Sequence, residues 1–274
     1  MTTIIEAVAG RTIGSRVWFY SNYTCNLTCS YCLTESGPGV PARELPRQTM
    51  TELSAEAAEL GFRELGVTGG EPFLLSDMPE RLAEMADILP VTVLTNATFF
   101  NDARLSRLEP LKDRKVWLQI SLDSAEAVVN DAMRGPENFE KVVEAIPRLL
   151  DAGIGVRIAS TVEDPENIDL SDLCALHRSL GVADEDHVVR TIMRRGRAAV
   201  AGFGESVGTT ELFPELTVTA DGAFWSPFAP TVAGGRLDTD LLVSRSVRPL
   251  RQAAETLVRL ATGSGTNVYD DRFR

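Results

Sequence analysis

The chain of 274 residues carries a formal charge of −12, with 44% hydrophobic and 24% charged residues. Such proportions belong to an ordinary globular chain, long enough to bury roughly three quarters of its unfolded surface without disulfides. They exclude a general nucleic-acid binder, which needs a basic face for phosphates, and no apolar run approaches the ~20 residues of a membrane span.

The opening residues lack a basic stretch followed by a long apolar run, so no secretion signal is read and a cytoplasmic protein is expected. Thiols stay reduced there, and the four cysteines are not a disulfide framework. Val17–Tyr20 is the first predicted strand and runs into a cysteine-rich loop. Apolar residues at helical spacing predict a helix over Met50–Leu60, capped by Thr51 or Ser54. Glu64–Thr68 is a second strand, Met78–Leu89 a helix, Val91–Thr95 a third strand and Asp102–Glu109 a short helix. Val116–Leu122 follows as a fourth strand, then a helix at Asn138–Ala152 closed by Gly153. Ile154–Val162 is a fifth strand, Leu170–Leu180 a helix ended by Gly181, and His187–Met193 a sixth strand.

Strand–helix units in series imply parallel strands with right-handed crossovers. The expected fold is therefore α/β, a partial (β/α)6 TIM-like barrel whose chemistry gathers at the C-terminal strand ends. After residue 200 the pattern breaks. Ala199–Thr210 reads as a loop, and Asp221-Gly222 as the turn of a hairpin between Leu216–Ala220 and Ala223–Trp225. Asp240–Ala261 reads as a closing helix, with a loose tail from Thr262. Residues 15–200 are expected to form the barrel, and 201–274 a hairpin-plus-helix extension packed on it.

Cys25, Cys29 and Cys32 stand in a C-x3-C-x2-C spacing directly after the first strand. Three thiolates on one short loop can converge on a metal centre. A closed zinc site wants four ligands, which would require a distant partner such as Cys174 or His177; an iron–sulfur cluster with one open iron needs only the three.

The run Cys25-Asn26-Leu27-Thr28-Cys29-Ser30-Tyr31-Cys32 resembles the cluster loop of the radical S-adenosylmethionine (SAM) superfamily. The resemblance extends over about residues 15–200 and implies a six-stranded partial barrel with one [4Fe–4S] cluster on the three cysteines. It also places Tyr31 near the adenine of SAM. Gly69-Gly70-Glu71-Pro72 is similar to the family's motif for the methionine amino group, at a turn where glycines let backbone approach a ligand. Ser121-Leu122-Asp123 is similar to the strand ending of the branch that modifies peptides and cofactors (SPASM/MoaA-like). The alternation of a strand would point Ser121 and Asp123 the same way, toward the ribose and carboxylate of SAM. Arg134 resembles an arginine that pairs with the SAM carboxylate or a substrate. Thr95-Asn96 resembles a Thr-Asn-Gly motif in which Ala97 here replaces glycine, and Met193 would lie beside the adenine.

Arg190, Arg194, Arg195 and Arg197 gather around the sixth strand end, where they would either steer an anionic substrate or form a solvated face. Ser226 and Pro227 stand where relatives place auxiliary-cluster cysteines, so a single cluster is expected. No cobalamin or full leader-recognition region is visible before the first strand. Cys174 is read as a small packed hydrophobe, and His177 and His187 as structural or surface residues.

The resemblance implies an enzyme in which the reduced cluster passes one electron to SAM. The resulting 5′-deoxyadenosyl radical abstracts hydrogen from a peptide or small metabolite, in natural-product or cofactor biosynthesis. An external donor such as flavodoxin or ferredoxin is implied, with neither nucleic acid nor membrane as partner. The competing class is a non-catalytic iron–sulfur or zinc redox sensor.

Overall fold

The computed structural model describes residues 2–166, 168–208 and 211–263. Six strands pair in chain order and all in parallel: β1 (Arg16–Tyr20), β2 (Glu64–Thr68), β3 (Val91–Thr95), β4 (Val116–Ser121), β5 (Gly155–Val162) and β6 (His187–Thr191). Strands covered on both faces read as near-continuous apolar runs. Val67, Val93, Leu118, Ile120 and Ile158 are accordingly buried.

Helices α1 (Ile4–Ala9), α2 (Arg47–Glu59), α3 (Met78–Ala86) and α4 (Asp102–Leu105) belong to the first half. They are followed by α5 (Ala127–Arg134), α6 (Asn138–Asp151), α7 (Ser171–Ser179) and α8 (Gly196–Ala201). α6 shows how the sequence sets the packing. Val142, Ala145, Ile146 and Leu149 recur at the spacing of one helix face, and that face is buried.

The later segments are β7 (Thr217–Thr219), β8 (Gly222–Phe224), β9 (Val232–Ala233), β10 (Arg236–Leu237), β11 (Leu242–Ser244) and α9 (Leu250–Gly263). The hairpin does not simply lie on the barrel. β7 pairs in parallel with β1, matching Trp18 to Thr217 and Phe19 to Val218, and β8 and β11 extend the same sheet antiparallel. Among the described residues the sheet order is β11-β8-β7-β1-β2-β3-β4-β5-β6.

Several sequence expectations change. The helix at Met50–Leu60 begins earlier, at Arg47 directly after Pro46, so neither Thr51 nor Ser54 caps it. Both hydroxyls bond back to helix carbonyls instead, Thr51 to that of Arg47 and Ser54 to that of Met50, and Thr51 also donates to Glu84 of α3. α1 and α5 were not expected, although Thr3 and Glu6 form a reciprocal capping box at the start of α1. The loop expected at Ala199–Thr210 begins within α8.

The closing helix starts only at Leu250. Leu242–Ser244 of the expected helix pairs with β8, whose edge groups need partners. Ser244, Ser246 and Pro249 favour caps and breaks over helix interior. Of the tail expected to be loose from Thr262, Thr262 and Gly263 continue α9, and the rest lies outside the described residues.

α7 sets His177 edge-on against His187, with ring centroids 4.4 Å apart. His177 is 1% exposed and neither ring nitrogen has a partner. Burial, reinforced by His187, lowers its pKa from 6.5 to about 4. The unfolded chain thus takes a proton on this ring near pH 6.5 and the folded chain only near 4. Stability therefore falls as the pH drops through that window. In melts across this range the wild type should show a steeper slope than His177→Leu; equal slopes would refute a buried neutral ring.

Candidate functional site

The parallel strand ends open into one cavity of about 220 Å³. Each of the six strands lends it a residue at or next to its C-terminal end: Tyr20, Thr68, Thr95, Ser121, Thr161 and Thr191. The loop after β1 brings Cys25, Cys29 and Cys32 to the same space, and Tyr31, Gly69, Gly70, Glu71, Asn96, Arg134 and Met193 also line it. Of the residues expected from sequence, Pro72 and Asp123 are not on its lining.

None of the three thiols is in a disulfide. Cys25 Sγ accepts from the Leu27 amide at 3.4 Å and from Asn96 Nδ2 at 3.7 Å. N–H groups aimed at sulfur favour the thiolate that a metal needs. Burial acts the other way while the thiols are bare, pushing Cys25 up to about 12 and raising Cys29 despite the nearby Arg134 guanidinium. Cys29 Sγ lies 3.6 Å from the Arg134 carbonyl, and Cys32 Sγ lies 3.6 Å from the Thr34 hydroxyl.

The Gly-Gly turn is laced to the cysteine loop. The Gly70 amide donates to the Asn22 carbonyl and the Glu71 amide to that of Thr24, each at 2.9 Å, while Asn22 Nδ2 donates back to the Glu71 carbonyl. Gly69 has φ +144, and a Cβ on it would lie 2.3 Å from the Asn22 carbonyl oxygen. At Gly70 the added Cβ would lie 2.0 Å from the Thr24 oxygen. Because both obstacles are backbone, Gly70→Ala should destabilise the fold by roughly 1–3 kcal/mol. The melting temperature should drop by about 2–4 °C per kcal/mol, and an unchanged melt would refute the close approach.

Glu71 lines the cavity and is held there by protein donors. Its carboxylate accepts from the Phe73 amide, the Thr95 hydroxyl and the Asn96 amide, at 3.0, 2.8 and 2.8 Å. Burial raises its pKa and these donors oppose the rise. Glu71 therefore ties the ends of β2 and β3 together at the cavity wall. Pro72 starts the short 3-10 turn behind it. Ala97 has φ +55, the left-handed conformation that glycine adopts without strain.

Asp123 is behind the wall. The chain leaves β4 after Ser121, so the alternation that would align the two side chains stops there. Asp123 Oδ2 accepts from the Tyr31 hydroxyl at 2.6 Å and from Arg134 Nη1 at 3.1 Å, and Oδ1 accepts from the Thr161 amide at 2.8 Å. Arg134 also donates to the Tyr31 hydroxyl. Burial disfavours the Arg134 charge, but its interactions with Tyr31, Cys29 and the Asp123 carboxylate hold its pKa above the usual value. Its Nε is buried without a partner.

Of the four arginines at the β6 end, only Arg190 lines the cavity. Arg195 pairs with Asp238 and Thr231, Arg194 is exposed and bonds the Gly204 carbonyl, and Arg197 bonds loop carbonyls. Trp18, Glu215 and Phe228 also line the cavity. No motif marked them; Trp18 lies midway along β1 rather than at its end. Cys174 sits on α7, half-buried, with its thiol 3.8 Å from His187 Nδ1 and away from the cavity.

The profile of the Radical SAM superfamily matches residues 20–172. That span contains the cysteine loop, the Gly-Gly-Glu-Pro turn and strands β2 to β5. The chain belongs to the radical SAM superfamily.

Among relatives of this radical SAM chain, the mycofactocin maturase MftC of Mycolicibacterium smegmatis is 30% identical over 230 residues, covering 83% of this chain and 51% of that protein. The antilisterial bacteriocin subtilosin biosynthesis protein AlbA of Bacillus subtilis is 32% identical over 168 residues, covering 60% of this chain and 36% of AlbA. The chain thus spans about half or less of the length of these curated relatives. SuiB of Streptococcus suis, solved bound to its precursor peptide SuiA, superposes with a TM-score of 0.56 at 15% identity, covering 70% of this chain and 43% of SuiB. The fold is shared at that distance. No helix among the described residues is long and apolar enough to cross a membrane.

Proposed function

We propose that this cavity holds a single [4Fe–4S] cluster on Cys25, Cys29 and Cys32 with SAM beside it, and that the chain acts on a peptide in natural-product biosynthesis. One observation carries the reading: three free thiols, a glycine turn that excludes any Cβ and six parallel strand ends open into one cavity. Among the described residues no three His, Cys, Asp or Glu groups are close enough to hold a single metal ion. A tetrahedral zinc, with Zn–S bonds of about 2.3 Å, draws its sulfurs to within ~4 Å of one another. The remaining cysteine, Cys174, stands on α7 off the cavity, which supports one cluster in this chain.

With both groups bound, the site supplies one-electron cleavage of SAM to methionine and a 5′-deoxyadenosyl radical that takes hydrogen from the substrate. The protein's part is placement and shelter. Leu27 and Asn96 offer N–H groups to Cys25 sulfur. Gly69 and Gly70 line the cavity and let their turn press against the cysteine loop beside the methionine end of SAM, and the unpartnered Arg134 Nε gives its carboxylate a donor. Ser121, Tyr31 and Met193 would flank the ribose and adenine. Thr95 and Asn96, also on the lining, hold Glu71 and Cys25 in place. The electron would come from an external donor of the flavodoxin or ferredoxin class.

A peptide substrate is favoured over a small metabolite by the relatives. One is a mycofactocin maturase, one serves bacteriocin biosynthesis, and SuiB is seen with a precursor peptide. Anaerobic reconstitution should give about four iron and four sulfide per chain, and dithionite with SAM should then yield 5′-deoxyadenosine. An intact cluster that never cleaves SAM would sink the enzyme reading in favour of a redox sensor.

A further inference from the structure

Arg197 lies beyond the residues matched by the superfamily profile and off the cavity lining, yet its side chain reaches the cysteine loop at three points. Nη1 donates to the Cys29 carbonyl at 3.1 Å, and Nη2 to the carbonyls of Glu35 and Ser36 at 2.8 and 2.5 Å. Its backbone amide donates to the Cys32 carbonyl at 3.0 Å. Gly196, just before it, has φ +55, and a Cβ there would lie 2.4 Å from the carbonyl oxygens of both Cys32 and Leu33. The start of α8 is thus pressed onto the segment that carries the second and third thiols. A planar guanidinium with several fixed donors can bridge carbonyls six and seven residues apart; an ammonium cannot hold that pattern.

We propose that Arg197 is a positioning residue for the cluster. It fixes the loop backbone around Cys29 and Cys32, and its charge raises the cluster's reduction potential by favouring the more negative reduced state. The inference rests on the assignment of Cys25, Cys29 and Cys32 as cluster ligands. The fork and the charge are two separable contributions. The fork governs how tightly the loop keeps iron, because partners that orient ligands typically change metal retention by about 10- to 100-fold. The charge acts on the redox couple through space, as net charge and exposure do for clusters generally.

The test uses the anaerobically reconstituted full chain. Iron release to a strong chelator and the midpoint potential of the cluster are measured for wild type, Arg197→Met, Arg197→Lys and Arg195→Met. Arg197→Met should release iron on the order of tenfold faster and shift the potential to more negative values. Arg197→Lys should restore the potential while still releasing iron fast. Arg195→Met removes the neighbouring pair with Asp238 without touching the loop, and should leave both readouts at wild type. Wild-type release and potential in Arg197→Met would overturn the inference, as would equal losses in Arg195→Met. Should Arg197→Met not fold, Arg197→Lys decides alone: wild-type iron release overturns, fast release supports. A wild-type chain that takes up no iron and sulfide sinks the ligand assignment itself, whereas a normal cluster indifferent to Arg197 sinks only this inference.

Discussion

Replacing any one of Cys25, Cys29 or Cys32 by alanine is expected to reduce 5′-deoxyadenosine formation below detection while leaving the barrel folded. Three thiolates leave one iron open for SAM; two leave a second iron without protein ligand, and a cluster so held is lost or cannot bind SAM in the required way. The barrel core does not depend on these residues. Cys29 and Cys32 are half-buried on a loop, and most of the large fully buried side chains lie on the strands and helices. Cys25 is the partial exception. Its loss leaves the Leu27 amide without its acceptor, while Asn96 Nδ2 keeps Asn26 Oδ1, at roughly 1–3 kcal/mol for an unsatisfied donor. Cys25→Ala should therefore melt a few degrees below the other two. Cys174→Ala, off the cavity, should keep its iron and its turnover. Iron and sulfide assays with chromatography of the nucleoside would check the set, and wild-type cleavage by any of the three loop variants would end the cluster assignment.

The second large effect is expected at Asp123, which never reaches the cavity. Its carboxylate joins Tyr31 of the cysteine loop, Arg134 at the end of α5 and the Thr161 amide on β5. The Arg134 and Asp123 side chains are 6% and 0% exposed. Asp123→Ala leaves a buried guanidinium without its anion, a loss of about 3–5 kcal/mol, or on the order of 10 °C in melting temperature for a chain of this size. Binding of SAM should fall with it, since Arg134 and Tyr31 lose the group that aims them. Asp123→Asn keeps one acceptor oxygen, enough for the Thr161 amide or the Tyr31 hydroxyl but not both, and should lose less stability than alanine. Thermal melts together with equilibrium dialysis of SAM would separate the two substitutions. A melt of Asp123→Ala within about 2 °C of wild type would show that the pair contributes little.

The same residues mark where reading from sequence stops. C-x3-C-x2-C is a local pattern, and a loop of eight residues cannot help but bring its thiols near one another. Gly69 and Gly70 were recognisable because only glycine tolerates backbone oxygens at 2.3 and 2.0 Å from its would-be Cβ. Asp123 and Glu71 were recognisable by motif, but the partners that brace them were not: Glu71 accepts from Phe73, Thr95 and Asn96, and Asp123 from Tyr31, Arg134 and Thr161. The helix expected from Asp240 failed for a related reason: β8 presented an open edge, and the segment paired with it. Neighbours distant in sequence decided these cases.

By itself, then, the sequence determined the alternation of strands and helices, the parallel sheet that follows from it, and the position of the cysteine loop after β1, because hydrophobic periodicity and ligand spacing are properties of short segments. The tertiary structure alone decided which polar groups face the cavity and which brace it. It placed β7 beside β1, turned Asp123 beneath Tyr31 and laid Arg197 across the loop. Those choices rest on hydrogen bonds between residues tens to more than a hundred positions apart, whose partners must be satisfied once they leave water. No local pattern encodes which distant donor will meet a given acceptor.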